Sequence, residues 1–315
     1  MRFLKRIVLF VLVNLLVFVT LSAFLSLLNV RPYLRSYGID YRSLLLFCLV
    51  WGMGGAFISL SLSRVMAKWL MNVRLIDRNQ VSGPDRELLR LVERLSREAG
   101  LVETPEVGVF PSSRLNAFAT GPTKKRALVA VSRGVMERMS AGELEGVVGH
   151  EISHIANGDM VTMTLIQGVV NAFVMFLSRA LAFFFTSTLR GGQREGGRSY
   201  GGRFGSFYLL TFLFELLFLV LGSVVIAFFS RTREYRADRG GALLAGKAQM
   251  LSALKKLRQC QRSTRPFFRE QEGSHVHGTV RALMISQPRR DGWLSLFATH
   301  PPLSSRIERL KKELP

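Results

Sequence analysis

His150-Glu151-Ile152-Ser153-His154 decides the reading of this chain: an H-E-x-x-H stretch set just ahead of a long apolar block. Residues four apart on an α-helix stand about 40° apart around the axis, so both imidazoles share one face. They can hold one zinc ion together, and Glu151 then lies within reach of a water at that ion. The surrounding sequence specifies the helix. Ser140-Ala141-Gly142-Glu143 reads as a capping box, with Ser140 as N-cap and Glu143 reaching back to it. Leu144, Val147, Val148, Ile152 and Ile155 form an apolar stripe, and Asn157-Gly158 is a stop signal. The plain alternative is a solvated helix face, but a chance match is rare in a chain with only 5 His.

Working outward, the composition sets the class. Lys and Arg number 43 against 22 Asp and Glu, a formal net charge of +21, while 48% of residues are hydrophobic. A soluble protein this basic would suggest nucleic acid. Here the apolar residues lie in long blocks and no nucleic-acid-binding signature is present, so an anionic lipid bilayer is the expected partner. Cys48 sits in an apolar block and Cys260 in a polar segment, which argues against a disulfide or a cysteine metal site.

Four apolar blocks are candidates to cross a membrane. Ile7 to Val30 is uncharged and lacks a small-residue cleavage site, so it reads as a retained span, and Leu44 to Leu62 as a second. Arg2, Lys5 and Arg6 precede the first, and Arg64, Lys68, Arg74 and Arg78 follow the second, which favours both ends being cytoplasmic. Val161 to Leu189 is interrupted by Arg179, and Phe207 to Phe229 contains Glu215. A central charge costs about 2.5–3.5 kcal/mol on insertion scales, so two readings stand: a spanning hairpin, or an apolar hairpin buried against the globular part. The Gly-rich run Arg190–Arg203 between them reads as a flexible loop.

The expected organisation is therefore 1–75 as an N-terminal transmembrane hairpin, 76–160 and 230–315 as two parts of a catalytic domain, and 161–229 as a second hairpin. The first globular piece opens with an amphipathic helix over Asp85 to Gly100. Short strands are expected at Val107 to Phe110, Ala117 to Thr120 and Ala127 to Ser132.

A catalytic zinc usually takes three protein ligands and a water. No third histidine follows the motif at a suitable spacing. Asp159 lies at the expected helix end and should point elsewhere. Glu234 and Asp238, in Ser230-Arg-Thr-Arg-Glu-Tyr-Arg-Ala-Asp238, share one helix face; one could bind the metal while the other orients a ligand histidine. Taken alone, ordinary pairing with Arg231, Arg233, Arg236 and Arg239 is the better account of them. The apolar hairpin supplies the connection, because its two ends would emerge side by side and bring His154 and Glu234 together.

Asn116-Ala-Phe-Ala-Thr-Gly121, His150 to Asp159, Ser230 to Asp238, and Thr299-His-Pro-Pro302 followed by Arg306-Ile, in that order, resemble the HtpX family. These are bacterial membrane zinc endopeptidases related to the CAAX prenyl endopeptidases. The resemblance covers nearly the whole chain. It implies a mainly α integral membrane protein, with transmembrane helices and an α+β zincin-like (gluzincin-type) catalytic domain holding a small β-sheet. It also implies one Zn2+ per chain on His150, His154 and Glu234, with Glu151 as the catalytic residue. An inner-membrane, multi-pass location with a cytoplasmic active site follows from the same likeness. So do misfolded or damaged membrane proteins as substrates, in proteolytic quality control. Asn116, Ala117, Phe118, Ala119 and Thr120 would form a strand that binds extended polypeptide, against the alternative of an ordinary core strand. Asp238, His300 and Arg306 would support or gate the site, each with an ordinary turn or salt-bridge reading beside it.

Two features depart from that pattern: the basic Gly-rich run, and Glu270-Gln-Glu-Gly-Ser-His-Val-His277, whose His-x-His could bind adventitious metal but reads as a solvated loop. In the implied chemistry zinc activates water, and Glu151 takes its proton and passes it to the leaving amine. The rival is a membrane-anchored chaperone-like adaptor with a structural zinc, which would need a fourth protein ligand and no general base. A solute carrier using Arg179 and Glu215 is the third class, and the large globular portion opposes it.

Overall fold

The computed structural model describes residues 41–78, 82–188, 200–263 and 298–313. The first apolar block, Glu270–His277 and most of the Gly-rich run lie outside them. In chain order the described elements are α1 (Tyr41–Leu70), β1 (Arg74–Leu75), α2 (Gly83–Glu98), β2 (Glu106–Phe110), β3 (Ala117–Thr120) and β4 (Leu128–Ser132). They continue with α3 (Arg133–Arg138), α4 (Ala141–Asn157), α5 (Asp159–Thr188), α6 (Tyr200–Ala245), α7 (Lys247–Ser263) and α8 (Leu303–Glu313). The chain divides into two compact units, one formed up to Ser59 and over Thr164–Ile226, the other over Leu60–Met163 and onward from Ala227.

The first unit is helical and apolar. Gly52 of α1 lies so close to α5 that a Cβ there would fall 2.6 Å from the Ala172 amide nitrogen. Small residues allow such backbone approach, and between membrane helices they are the usual means of packing. Arg179 of α5 donates to Glu215 of α6 at 2.8 Å, so the two charges expected to penalise insertion neutralise one another. Among the described residues three helices are long and apolar enough to cross a membrane: Ser43–Leu70, Asp159–Thr186 and Gly205–Ala245. Only 11% of the most apolar window of the second and third is buried, and Phe173, Phe184, Phe212 and Phe228 are exposed. That surface suits lipid and argues against an apolar hairpin buried within the protein. The Gly-rich run also ends earlier than expected, because Tyr200–Arg203 is already the start of α6.

The second unit carries the sheet, ordered β1-β2-β4-β3. β2 and β4 are parallel, with β1 and β3 antiparallel on the two edges. β4 is buried along its whole length because both faces are covered. Val129 and Val131 point into a core with Leu88, Val92 and Leu95 of α2, Val148, Ile152 and Ile155 of α4, Leu254 of α7 and Ile307 of α8. Leu128 and Ala130 face the other way, onto Phe110, Phe118 and Ala67. The strands fall within a residue of their expected limits. α2 starts at Gly83, ahead of Asp85, because Pro84 occupies its first turn. The two cysteines are free thiols.

Candidate metal centre

α4 is specified as its sequence suggests. Ser140 accepts from the Glu143 amide and Glu143 accepts from the Ser140 amide, completing the capping box; Gly158 closes the helix at φ 68°. Every residue from Gly146 to Ile155 is buried, so both histidines and Glu151 face the protein interior rather than solvent.

Opposite them stands α6, which runs unbroken from the apolar block through Glu234 to Ala245. Glu234 is fully buried. His150, His154 and Glu234 each offer a donor atom, all within 4.8 Å of one another. The His150 and His154 Nε2 atoms are 3.2 Å apart. The carboxylate oxygens of Glu234 lie 3.6 Å from His150 Nε2 and 3.4 Å from His154 Nε2. Tetrahedral bonds of 2.0–2.1 Å to zinc place donor atoms about 3.3–3.4 Å apart. Each histidine meets a different oxygen of Glu234, Oε2 for His150 and Oε1 for His154, and one donor atom from each of the three residues falls within 4.8 Å of the others.

The charges around this triangle also suit a cation. Glu151, Asp159, Glu234 and Asp238 are buried together with the Arg306 guanidinium, and the less buried Arg233 donates Nη2 to Glu234 Oε1 at 3.1 Å. Burial alone would lower the His150 pKa, but hydrogen bonds to Asp238 and then Glu234 outweigh it and push it up to about 9. Arg306 of α8 grips Asp238 with both arms of its fork, Nε to Oδ2 at 2.8 Å and Nη2 to Oδ1 at 2.5 Å. Asp238 Oδ1 in turn lies 3.0 Å from His150 Nδ1. His300 Nδ1 lies 2.8 Å from Glu234 Oε2.

Asp159 does not point elsewhere. Its Oδ2 lies 2.6 Å from His154 Nδ1, and the side chain is buried. The signal that could have located it was Gly158: a left-handed residue ends α4 and α5 begins at once, turning Asp159 back toward the preceding helix. Two further features have no sequence signal of their own. Lys124, in the β3–β4 connection, donates to the Ala156 carbonyl at the end of α4. Gly241 lies so close to α4 that a Cβ there would be 2.9 Å from the His150 amide nitrogen.

β3 lies on the sheet edge and packs against α4. Ser132 donates its amide to the Asn116 carbonyl at 2.8 Å, so pairing alternates from there along β3. The N–H and C=O groups of Ala117 and Ala119 consequently point away from β4, toward an edge that no strand covers among the described residues. The side chains of Asn116, Ala117, Phe118 and Thr120 are buried, which is also what a core strand shows.

Comparison with known proteins adds the following. The family model for peptidase family M48 matches residues 82–314. A protease HtpX homolog of Methylacidiphilum infernorum is 44% identical over 308 residues, covering 98% of each chain. Protease HtpX of Thioalkalivibrio sulfidiphilus is 44% identical over 309 residues, again covering 98% of each. The HtpX homolog of Bacillus subtilis is 43% identical over 314 residues, covering 98% of this chain and 99% of its own. The crystal structure of S. mikatae Ste24p is similar in fold, with a TM-score of 0.55 at 17% identity over 84% of this chain and 58% of that one.

Proposed function

Because the chain belongs to peptidase family M48, as a bacterial membrane metalloprotease related to HtpX, we propose that its site is a single zinc centre on His150, His154 and Glu234. The observation that carries this reading is that the two Nε2 atoms stand 3.2 Å apart, each within 3.4–3.6 Å of an oxygen of the Glu234 carboxylate, spacings close to those between the donors of tetrahedral zinc. When bound, the ion would polarise the scissile carbonyl and make water a competent nucleophile near neutral pH. The rest of the chemistry falls to the chain. Glu151 stands outside the ligand set, one residue from His150, and acts as general base and then as acid toward the leaving amine. Asp238, fixed by Arg306, accepts from His150 Nδ1 and leaves Nε2 free to bind metal. His300 steadies the Glu234 carboxylate from outside the ligand set.

β3 is proposed as the substrate strand. An extended polypeptide would add to the free edge through the main-chain groups of Ala117 and Ala119, a mode that tolerates varied side chains. Misfolded or damaged membrane proteins are the fitting substrate class, since such an enzyme must accept many sequences. The metal residues and the chain ends are assigned to the cytoplasmic side of a multi-pass inner-membrane protein. A shared ion requires that the chain between His154 and Glu234 cross the membrane an even number of times. The basic residues Arg64, Lys68 and Arg74 after the apolar part of α1 fit that side. No feature favours the adaptor reading, in which Glu151 would have no work.

Glu151→Gln tests the assignment. The variant should bind zinc and unfold like wild type while hydrolysis of an unfolded protein such as casein falls by at least about 10²–10⁴-fold. Near wild-type proteolysis by the variant would falsify it.

A further inference from the structure

We infer that Asp159 is the positioning residue of His154, and that the two ligand histidines are backed by differently paired carboxylates, one bound to a guanidinium and one not. The inference rests on the zinc site proposed above and extends it to a residue outside the H-E-x-x-H and Glu234 pattern.

The geometry is specific to a break in the helix. Residues five apart on a continuous helix do not face one another, whereas three or four apart do. His154 and Asp159 meet because Gly158 takes the left-handed conformation and α5 starts at Asp159 itself. The junction is tied down on both sides. The Gly158 amide donates to the Ile155 carbonyl at 3.0 Å and the Thr162 amide to the Gly158 carbonyl at 3.2 Å. Lys124 holds the Ala156 carbonyl.

Asp159 Oδ2 lies only 2.6 Å from His154 Nδ1, a contact that favours the tautomer with its proton on Nδ1 and the Nε2 lone pair free. Nε2 is the atom that stands 3.2 Å from His150 Nε2 and 3.4 Å from Glu234. The contact therefore favours both the tautomer and the ring direction that a metal needs.

The two histidines differ in what backs them. His150 leans on Asp238, whose charge is shared with the bidentate Arg306 fork. His154 leans on Asp159, which among the described residues bonds no guanidinium or ammonium group. A carboxylate with no guanidinium partner of its own makes the imidazole a stronger donor. Asp159 thus contributes charge as well as direction, while the Asp238–Arg306 unit contributes chiefly direction.

The test uses the full chain, purified in detergent and stripped of metal. Zinc affinity is read by competition with a chromophoric chelator. Thermal unfolding of the metal-free form is read in parallel, with the visible spectrum of the cobalt-loaded form as a third signal. Asp159→Asn keeps an acceptor but loses the charge, and should weaken zinc by about 10-fold; Asp159→Ala loses both, and should weaken it by about 100-fold. Both should unfold near wild type when metal-free, and the alanine variant should shift the cobalt bands. A structural role for Asp159, such as an acid at the start of α5, would lower the metal-free midpoint and leave affinity and spectrum alone. That outcome overturns the inference, as does zinc affinity within twofold of wild type in Asp159→Ala. A wild-type chain that takes up no zinc, or a Glu234→Ala variant that binds it fully, overturns the site assignment itself and this inference with it.

Discussion

Gly241→Ala is a one-methyl change that should disable the metal centre without harming the helix that carries it. Gly241 lies two turns beyond Glu234, on the same face of α6 as Glu234 and Asp238. An added Cβ would stand 2.9 Å from the His150 amide nitrogen and 3.0 Å from its Cα. Ordinary carbon contacts begin at about 3.5 Å, so α6 and α4 must part by roughly 0.5 Å at the level of the first ligand. Both contacts are backbone, and neither can rotate aside. Metal sites tolerate deviations of about 0.2 Å in their bonds, so the displacement exceeds what zinc can absorb. Overpacking costs about 1–3 kcal/mol, offset in part by the helix preference of Ala over Gly, about 1 kcal/mol. The expected outcome is a helical, folded protein with zinc affinity reduced at least about 10-fold and proteolysis reduced with it. Far-ultraviolet circular dichroism, chelator competition and casein hydrolysis on one preparation measure all three. Wild-type zinc affinity with full activity in Gly241→Ala would refute the claim that this close approach sets the site.

Two other expectations follow from the same geometry. Ala119→Pro removes an amide that points away from β4, so folding and metal content should hold while the KM for polypeptide rises several-fold; a normal KM would exclude the open edge of β3 as the docking strand. The metal-free protein should lose stability as pH rises. His150 is pushed up to about 9 from an ordinary 6.5, so its protonated form contributes below pH 6.5 and that contribution fades as pH passes through 9. Zinc needs the neutral ring, so its affinity should climb over the same interval. Thermal midpoints of chelator-treated protein and zinc titrations from pH 6 to 10 check both directions. Flat profiles would mean that His150 does not bind the proton the metal displaces.

What the sequence disclosed and what it hid follow one division. Local rules placed α4: the capping box at Ser140–Glu143 and the left-handed stop at Gly158 are short-range and stand where expected. Period-two runs with turn residues between them placed the strands, with β3 matched at both ends. The position of Glu234 beside the histidines needed one long-range assumption, that two apolar blocks turn the chain back on itself. Asp159 was misjudged because helical periodicity says nothing once a helix breaks. Its contact with His154 depends on one backbone dihedral at Gly158. Arg306 was harder still: nothing near it in sequence tells a buried fork on Asp238 from a surface salt bridge.

Continuity of the helices explains why such a site can be built from distant segments at all. α5 begins at the residue that contacts His154, and α6 carries Glu234 five residues past Phe229 with no break between. At 1.5 Å per residue, Glu234 stands about 7.5 Å beyond the last apolar residue of its block. No flexible linker separates Glu234 from Phe229, so the spacing between them is set by helix rise rather than by loop conformation. The same rigidity concentrates the steric demand where α6 passes α4, and Gly240 and Gly241 are the residues that meet it. A Cβ on Gly240 would fall 2.0 Å from Ser153 Oγ. The proposed metal site is therefore specified twice: by the donors, and by the residues that have no side chain to keep them apart.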